Sequence, residues 1–244
     1  MFKFLFFLCI LVSFTSTAEK FNVVVGFAKP PYVIQENNSG FELELVGHVI
    51  KAMGKSPYFV FVPFGRSPKM LERNDVDSIM TINKNMIADT SYLSDVYIIY
   101  QNVAISLKKN NKVINDIEGL SEVSVAAFQM ATTILGSHYA SAVADSPLYI
   151  EVANQKRQTK LLFDEKVESV VMDVNIFNAL SPLVGGKSDH SDVDVHYIFP
   201  KSPYHMAFKD KANIAKFNKA LQEFKSSQAY SDLIDKYNLK GNIN

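Results

Sequence analysis

Four ionisable side chains at alternate positions, His190, Asp192, Asp194 and His196, form the first cluster in this 244-residue sequence whose types and spacing suit chemistry. On a strand, alternate residues project from one face about 6.5 Å apart, so imidazoles and carboxylates placed there could converge on a divalent cation. The same spacing also describes a polar outer face backed by Val193, Val195 and Tyr197. Ligands strung along one strand rarely close a tetrahedral shell, so no metal is expected. Thr132 and Thr133 stand at the expected start of a helix, where unpaired amides and the positive dipole end suit a ligand carboxylate, or where a threonine simply caps the helix. Asp173 ends a strand on the carboxyl edge of a parallel sheet, where it either meets a ligand or caps the following helix. Arg66 follows another strand onto the same kind of edge, facing either that cleft or solvent. Tyr32, after Pro30 and Pro31, stacks along a cleft wall or packs in the core.

Ready-made catalytic and cofactor patterns do not occur: there is no G-x-G-x-x-G, Walker A loop, H-E-x-x-H, G-x-S-x-G or C-x-x-C. An enzyme is therefore not expected, and neither is a cofactor. Acid–base catalysis would need a second group beside Asp173, and the sequence offers no evident partner.

The elements that must position these residues alternate between short β-branched runs and segments of helical period, the grammar of βαβ units. The first series predicts strands over 21–26, 58–64 and 76–80, a helix over 42–53 in which Leu43, Val46, Val49, Ile50 and Met53 share a stripe, and a short helix opened by Ser67-Pro68 that ends near Asn74. A second series predicts strands over 123–127, 148–152 and 168–172, with helices from Thr132 and over 155–164. Two series imply two lobes. No Gly/Ser or Pro linker separates them, so ordered crossings are expected in 97–107 and 193–208. The last 35 or so residues read as helical, with stripes of Ile214, Phe217, Leu221 and Phe224, then Leu233, Ile234 and Tyr237.

Residues 1–18 read as a secretory signal peptide: Lys3, an apolar run from Phe4 to Val12, then Ser16-Thr17-Ala18. That run is far short of the ~20 residues that span a bilayer. Cleavage would remove the single Cys, Cys9, so the exported protein would stand on packing rather than disulfides, in a periplasm or outside the cell. With 25 basic and 25 acidic side chains there is no electrostatic case for a nucleic-acid partner. A small ligand is the easier fit.

The order of motifs resembles that of the bacterial extracellular solute-binding protein family 3, the polar amino-acid-binding components of ABC importers. Lys29-Pro30-Pro31-Tyr32 is similar to its P-P-[FY], Gly40-Phe41-Glu42-Leu43-Glu44-Leu45 to G-F-x-x-[DE]-L, and Asp75-Val76-Asp77-Ser78-Ile79-Met80 to K-V-D-A-I-I. Tyr92-Leu93-Ser94-Asp95-Val96-Tyr97 resembles the F-S-x-P-Y approach to the hinge, and Lys166-Val167-Glu168-Ser169-Val170-Val171-Met172-Asp173 resembles R-V-D-A-V-V-x-D. Phe217 to Leu221 and Tyr230 to Tyr237 are similar to the closing pair of helices.

The resemblance implies an α/β, two-lobe periplasmic binding protein of type II, each lobe a mainly parallel sheet flanked by helices and joined by two hinge strands. Lobe 1 would comprise 19–102 and 200–244, and lobe 2 103–199. It implies hinge closure on a small polar, carboxylate-bearing ligand and delivery by a monomer to an ABC permease. The alternatives are an exported sensor acting on a membrane receptor and a dehydratase-like enzyme. By correspondence with the family, Asp173 would anchor an amino group, the loop at Thr132 and Thr133 would take the carboxylate, and Thr81 with the backbone around Ile82 would supply a small polar segment. Tyr32 would form a wall, and Lys29 stands where amino-acid binders carry an aromatic. The family's carboxylate-clamping Arg falls at Met86 or Ile87, leaving Arg66 and Lys29 as the basic residues that could compensate.

Overall fold

The computed structural model describes residues 18–239, so the expected signal segment lies outside the described residues except for Ala18. The chain opens with β1 (Glu19–Gly26), α1 (Phe41–Ala52), β2 (Lys55–Val62), α2 (Ser67–Met70), β3 (Ser78–Ile82) and β4 (Leu93–Tyr100). After the single residue Gln101 come β5 (Asn102–Leu107), β6 (Val125–Phe128), α3 (Ala131–Leu135), α4 (Ser137–Ala144), β7 (Tyr149–Val152), α5 (Gln155–Phe163), β8 (Ser169–Asp173), α6 (Val174–Leu180) and β9 (Val193–His196). The remaining elements are β10 (Ser202–Phe208), α7 (Ala212–Lys225) and α8 (Gln228–Lys236).

Among the described residues, ten strands divide into two sheets of the same plan, β2-β1-β3-β10-β4 and β7-β6-β8-β5-β9. In each, one strand, β10 or β5, runs against the other four. Those two are the strands that arrive from the other sheet. Both sheets turn their carboxyl edges toward each other, so a crossing chain enters at that edge and must run backwards. The mainly parallel character expected of βαβ units survives, with the reversed strand marking each crossing.

Central strands are buried on both faces: Val23, Val24 and Val25 of β1 and Val170, Val171 and Met172 of β8 are inaccessible to solvent. The stripe of α1 is buried as its spacing requires, and α7 and α8 pack against it. Two local expectations need correction. The strand expected over 58–64 begins at Lys55, because Pro57 is tolerated on an edge strand that needs its amide less. The helix expected from Thr132 is two helices, broken at Gly136, whose φ of 89° suits glycine.

Thr81 carries a φ of 58°, rare for a β-branched residue. Its place explains it: between Ile82↔His205 and Ile79↔Ala207 the β3 strand uses one residue more than β10, a bulge that turns Thr81 out of register toward the carboxyl edge.

The four residues spaced for a metal do not share a strand. His190 lies in a turn with a φ of 55°, Asp192 accepts the Lys187 amide at 3.0 Å, and His196 meets Ser106 Oγ at 3.0 Å. Among the described residues no cluster of three or more potential metal ligands occurs. Likewise, among the described residues, no helix is long and apolar enough to cross a membrane.

Candidate functional site

Where the two carboxyl edges meet, a narrow cleft of about 40 Å³ is lined from both sides. Lobe 1, the half built on the first sheet, contributes Lys29, Phe64, Thr81, Tyr100 and Tyr204. Lobe 2 contributes Asn102, Phe128, Gln129, Gln155, Asp173 and Ile176.

The lobe 1 wall is built on the first turn of α1. The Phe41 and Glu42 amides, which have no partner within the helix, donate to the carbonyls of Pro31 and Tyr32 at 3.0 Å each. Gly40 permits this approach, since a Cβ there would lie 2.4 Å from Tyr32 O. The loop carrying Lys29 is thereby tied to the turn carrying Glu42. Lys29 Nζ lies 2.9 Å from Glu42 Oε2 and donates to Thr81 Oγ1 at 2.8 Å. Thr81 Oγ1 donates in turn to Glu42 Oε1 at 2.9 Å, Tyr100 donates to Oε2 at 2.9 Å, and Tyr97 donates to Oε1. The Thr81 amide donates to Tyr97 OH at 2.9 Å, which holds the bulge in place.

Glu42 is wholly buried and Lys29 nearly so. Burial pushes the Lys29 ammonium below its usual range, and Glu42 opposes that shift. Tyr97 and Tyr100 are held well above the usual phenol range by burial and by Glu42, so both remain donors. Lys29 also lies 5.2 Å from the Tyr100 ring centroid and 5.8 Å from that of Phe64.

On the lobe 2 side, Asp173 joins β8 to α6. Its Oδ1 accepts the Asn175 and Ile176 amides at 2.9 and 3.1 Å, the pattern of a helix cap, and its Oδ2 accepts the amide of Gln101 at 2.9 Å. One carboxylate therefore fixes both a helix start and a crossing. Burial raises its pKa from 3.8 to about 6, against the lowering effect of these donors. Gln155, which lines the same cleft, carries a buried Oε1 without a hydrogen-bond partner.

Among the described residues, hydrogen bonds that span the lobes away from the crossings include the Gly65 amide to Gln129 Oε1 at 3.0 Å, Asn85 Nδ2 to Ile134 O at 3.2 Å, and Asn175 Nδ2 to Tyr32 OH at 2.8 Å. Tyr32 is buried and stacks on Tyr100 with centroids 4.3 Å apart, so it backs the wall rather than facing the cleft.

Of the residues singled out from sequence, Lys29, Thr81 and Asp173 are brought together. Ile82 is buried behind Thr81 in β3. Arg66 is exposed and does not line the cleft, because the turn at 64–66 directs Phe64 inward instead. Thr132 and Thr133 also lie outside it. The Thr132 amide and hydroxyl both donate to Glu151 Oε1 at 2.9 Å, and the Met130 amide donates to Oε2 at 2.7 Å. The chain's own carboxylate thus occupies the helix start that sequence reasoning offered to a ligand. Glu42, Tyr100, Gln129 and Gln155 were missed. Glu42 alone carried a signal: a carboxylate four residues before Val46 and seven before Val49, on the buried stripe, must have a partner inside.

The architecture is widely shared among solved structures. An ancestral arginine-binding protein bound to arginine is 21% identical over 89% of this chain and 97% of that one, with a TM-score of 0.73. A histidine kinase sensor domain with similarity to periplasmic binding proteins is 14% identical over 92% and 97%, with a TM-score of 0.75. An ancestral amino acid-binding protein, a precursor of cyclohexadienyl dehydratase, is 19% identical over 89% and 95%, with a TM-score of 0.72. At such identities these likenesses establish the two-lobe type II periplasmic binding fold and nothing finer. No curated protein matches the sequence. The family model for bacterial extracellular solute-binding proteins, family 3, however, matches residues 22–240, the span that builds both sheets and the cleft between them, and the chain belongs to that family.

Proposed function

We propose that the chain is an exported, monomeric solute-binding protein that captures a small polar molecule by closure of its two lobes and delivers it to an ABC importer in the membrane. The observation that carries this reading is the cleft itself: its two walls belong to different sheets, and hydrogen bonds between the lobes exist only in a closed arrangement. Closure couples occupancy to a shape that a membrane partner can read. Lys29, Thr81 and Asp173 are the proposed ligand-facing polar groups, with Tyr32 supporting them from behind. The pairing of Lys29 with Glu42 within lobe 1 and the tethering of Asp173 by the Gln101, Asn175 and Ile176 amides favour binding over turnover.

Titration calorimetry against a panel of amino acids, organic acids and amines tests capture: one member should bind, and Asp173→Ala should weaken it. Absence of binding across the panel would overturn the reading. Uptake of the bound compound should fall in a strain lacking the protein; unchanged uptake with intact binding would favour a sensor over a transporter component.

A further inference from the structure

We propose that the cleft selects a protonated amine that carries no carboxylate, attached to an aromatic or other apolar body; this rests on the capture reading above and names the ligand class of the same site. The charge balance points there first. Two carboxylates, Glu42 and Asp173, meet one ammonium, Lys29, and among the described residues Lys29 is the only base and Asp173 the only acid that line the cleft. Lys29 has already committed itself to Glu42 and Thr81, which leaves at most one of its three protons for a ligand. The donors to Asp173 are neutral, the amides of Gln101, Asn175 and Ile176 and the Tyr32 hydroxyl, and Lys29, which feels its charge, is ion-paired with Glu42 instead. A cation in the cleft would balance the Asp173 charge, whereas an anion would face a like charge.

Hydrogen-bonding capacity points the same way. Gln155 Oε1 is a buried acceptor without a partner in a residue that lines the cleft, and it calls for a donor. The amides that could have received a carboxylate, at Met130 and Thr132, are taken by Glu151, and Arg66 is exposed outside the cleft. The rest of the lining that matters is aromatic: Phe64, Tyr100, Phe128 and Tyr204 present ring surface that suits both a cation and an apolar body.

The test is titration calorimetry at neutral pH with phenethylamine and agmatine against phenylalanine and arginine, which add only the α-carboxylate to the same bodies, and with phenylacetate, which lacks the amine. At least one amine should bind about tenfold or more tightly than its amino acid. An amino acid that binds more tightly than its amine, or phenylacetate that binds as well as phenethylamine, overturns the inference. So does silence from all five; if another member of the wider panel then binds, only the amine class is lost, whereas silence across the wider panel removes the capture reading as well. Because Asp173 also caps α6, the diagnostic variant is Gln155→Glu, which adds a negative charge without touching that cap. It should tighten the amine about threefold or more, and a weakening would overturn the proposal.

Discussion

The two walls of the cleft solve the problem of buried charge in opposite ways. On the lobe 1 side, Glu42 receives Lys29, Thr81, Tyr97 and Tyr100, and the network closes on itself behind the surface. On the lobe 2 side, Asp173 is held by neutral donors, three backbone amides and the Tyr32 hydroxyl, and Gln155 keeps an acceptor unfilled. One wall is finished before anything arrives; the other has capacity to spare. Rigidity and selectivity are thus assigned to different lobes, and a ligand completes the second wall without disturbing the first.

The largest effect should come from breaking the finished wall. Glu42→Leu leaves the Lys29 charge buried and three hydroxyl donors without their acceptor, and should cost about 3–5 kcal/mol in urea denaturation. A loss below about 1 kcal/mol would mean that the pair contributes little beyond a hydrophobic substitute.

Asp173 gives the contrasting result. Its native pKa of about 6 lies above its ordinary 3.8, so its contribution to stability is present in full below the ordinary value and is lost as pH rises through about 6. In the ligand-free protein, the stability difference between wild type and Asp173→Asn should therefore shift against wild type by up to about 3 kcal/mol between pH 4 and pH 7. A pH-independent difference in thermal unfolding would show that Asp173 titrates normally.

Gln129→Ala removes the acceptor of the Gly65 amide across the lobes and should weaken ligand affinity about two- to tenfold while changing overall stability little. Unaltered affinity would mean that this latch does not bias closure. The smallest effect sharpens the boundary of the site. Thr132→Ala and Arg66→Ala should each leave ligand affinity within about twofold, because neither residue faces the cleft. A tenfold loss in either would return the helix start or Arg66 to the binding surface.

The fold was largely legible because its signals are periodic: the α1 stripe, the β-branched runs and the two repeated series each state an element locally. The family motifs then ordered them into two lobes. What stayed hidden was pairing between distant residues. Nothing local reveals that Glu151 would satisfy the helix start at Thr132, nineteen positions before it, nor that Lys29 would pair with Glu42 within the cleft wall. Asp173 was readable as a residue at a sheet edge, and both its roles, cap and cleft lining, follow from that one position. The bulge at Thr81 was not readable, since it arises from register against β10, more than a hundred residues away.

The insertion of β10 between β3 and β4 makes the two sheets differ in how much of the chain each requires. Lobe 2 draws every strand of its sheet from 102–196, so its pairing partners have all emerged while lobe 1 still lacks a member near its middle. The lobe 1 sheet cannot be complete without residues 202–208, because only β10 joins β3 to β4. The half of the molecule that begins the chain is thus the half whose sheet needs the last strand in the sequence.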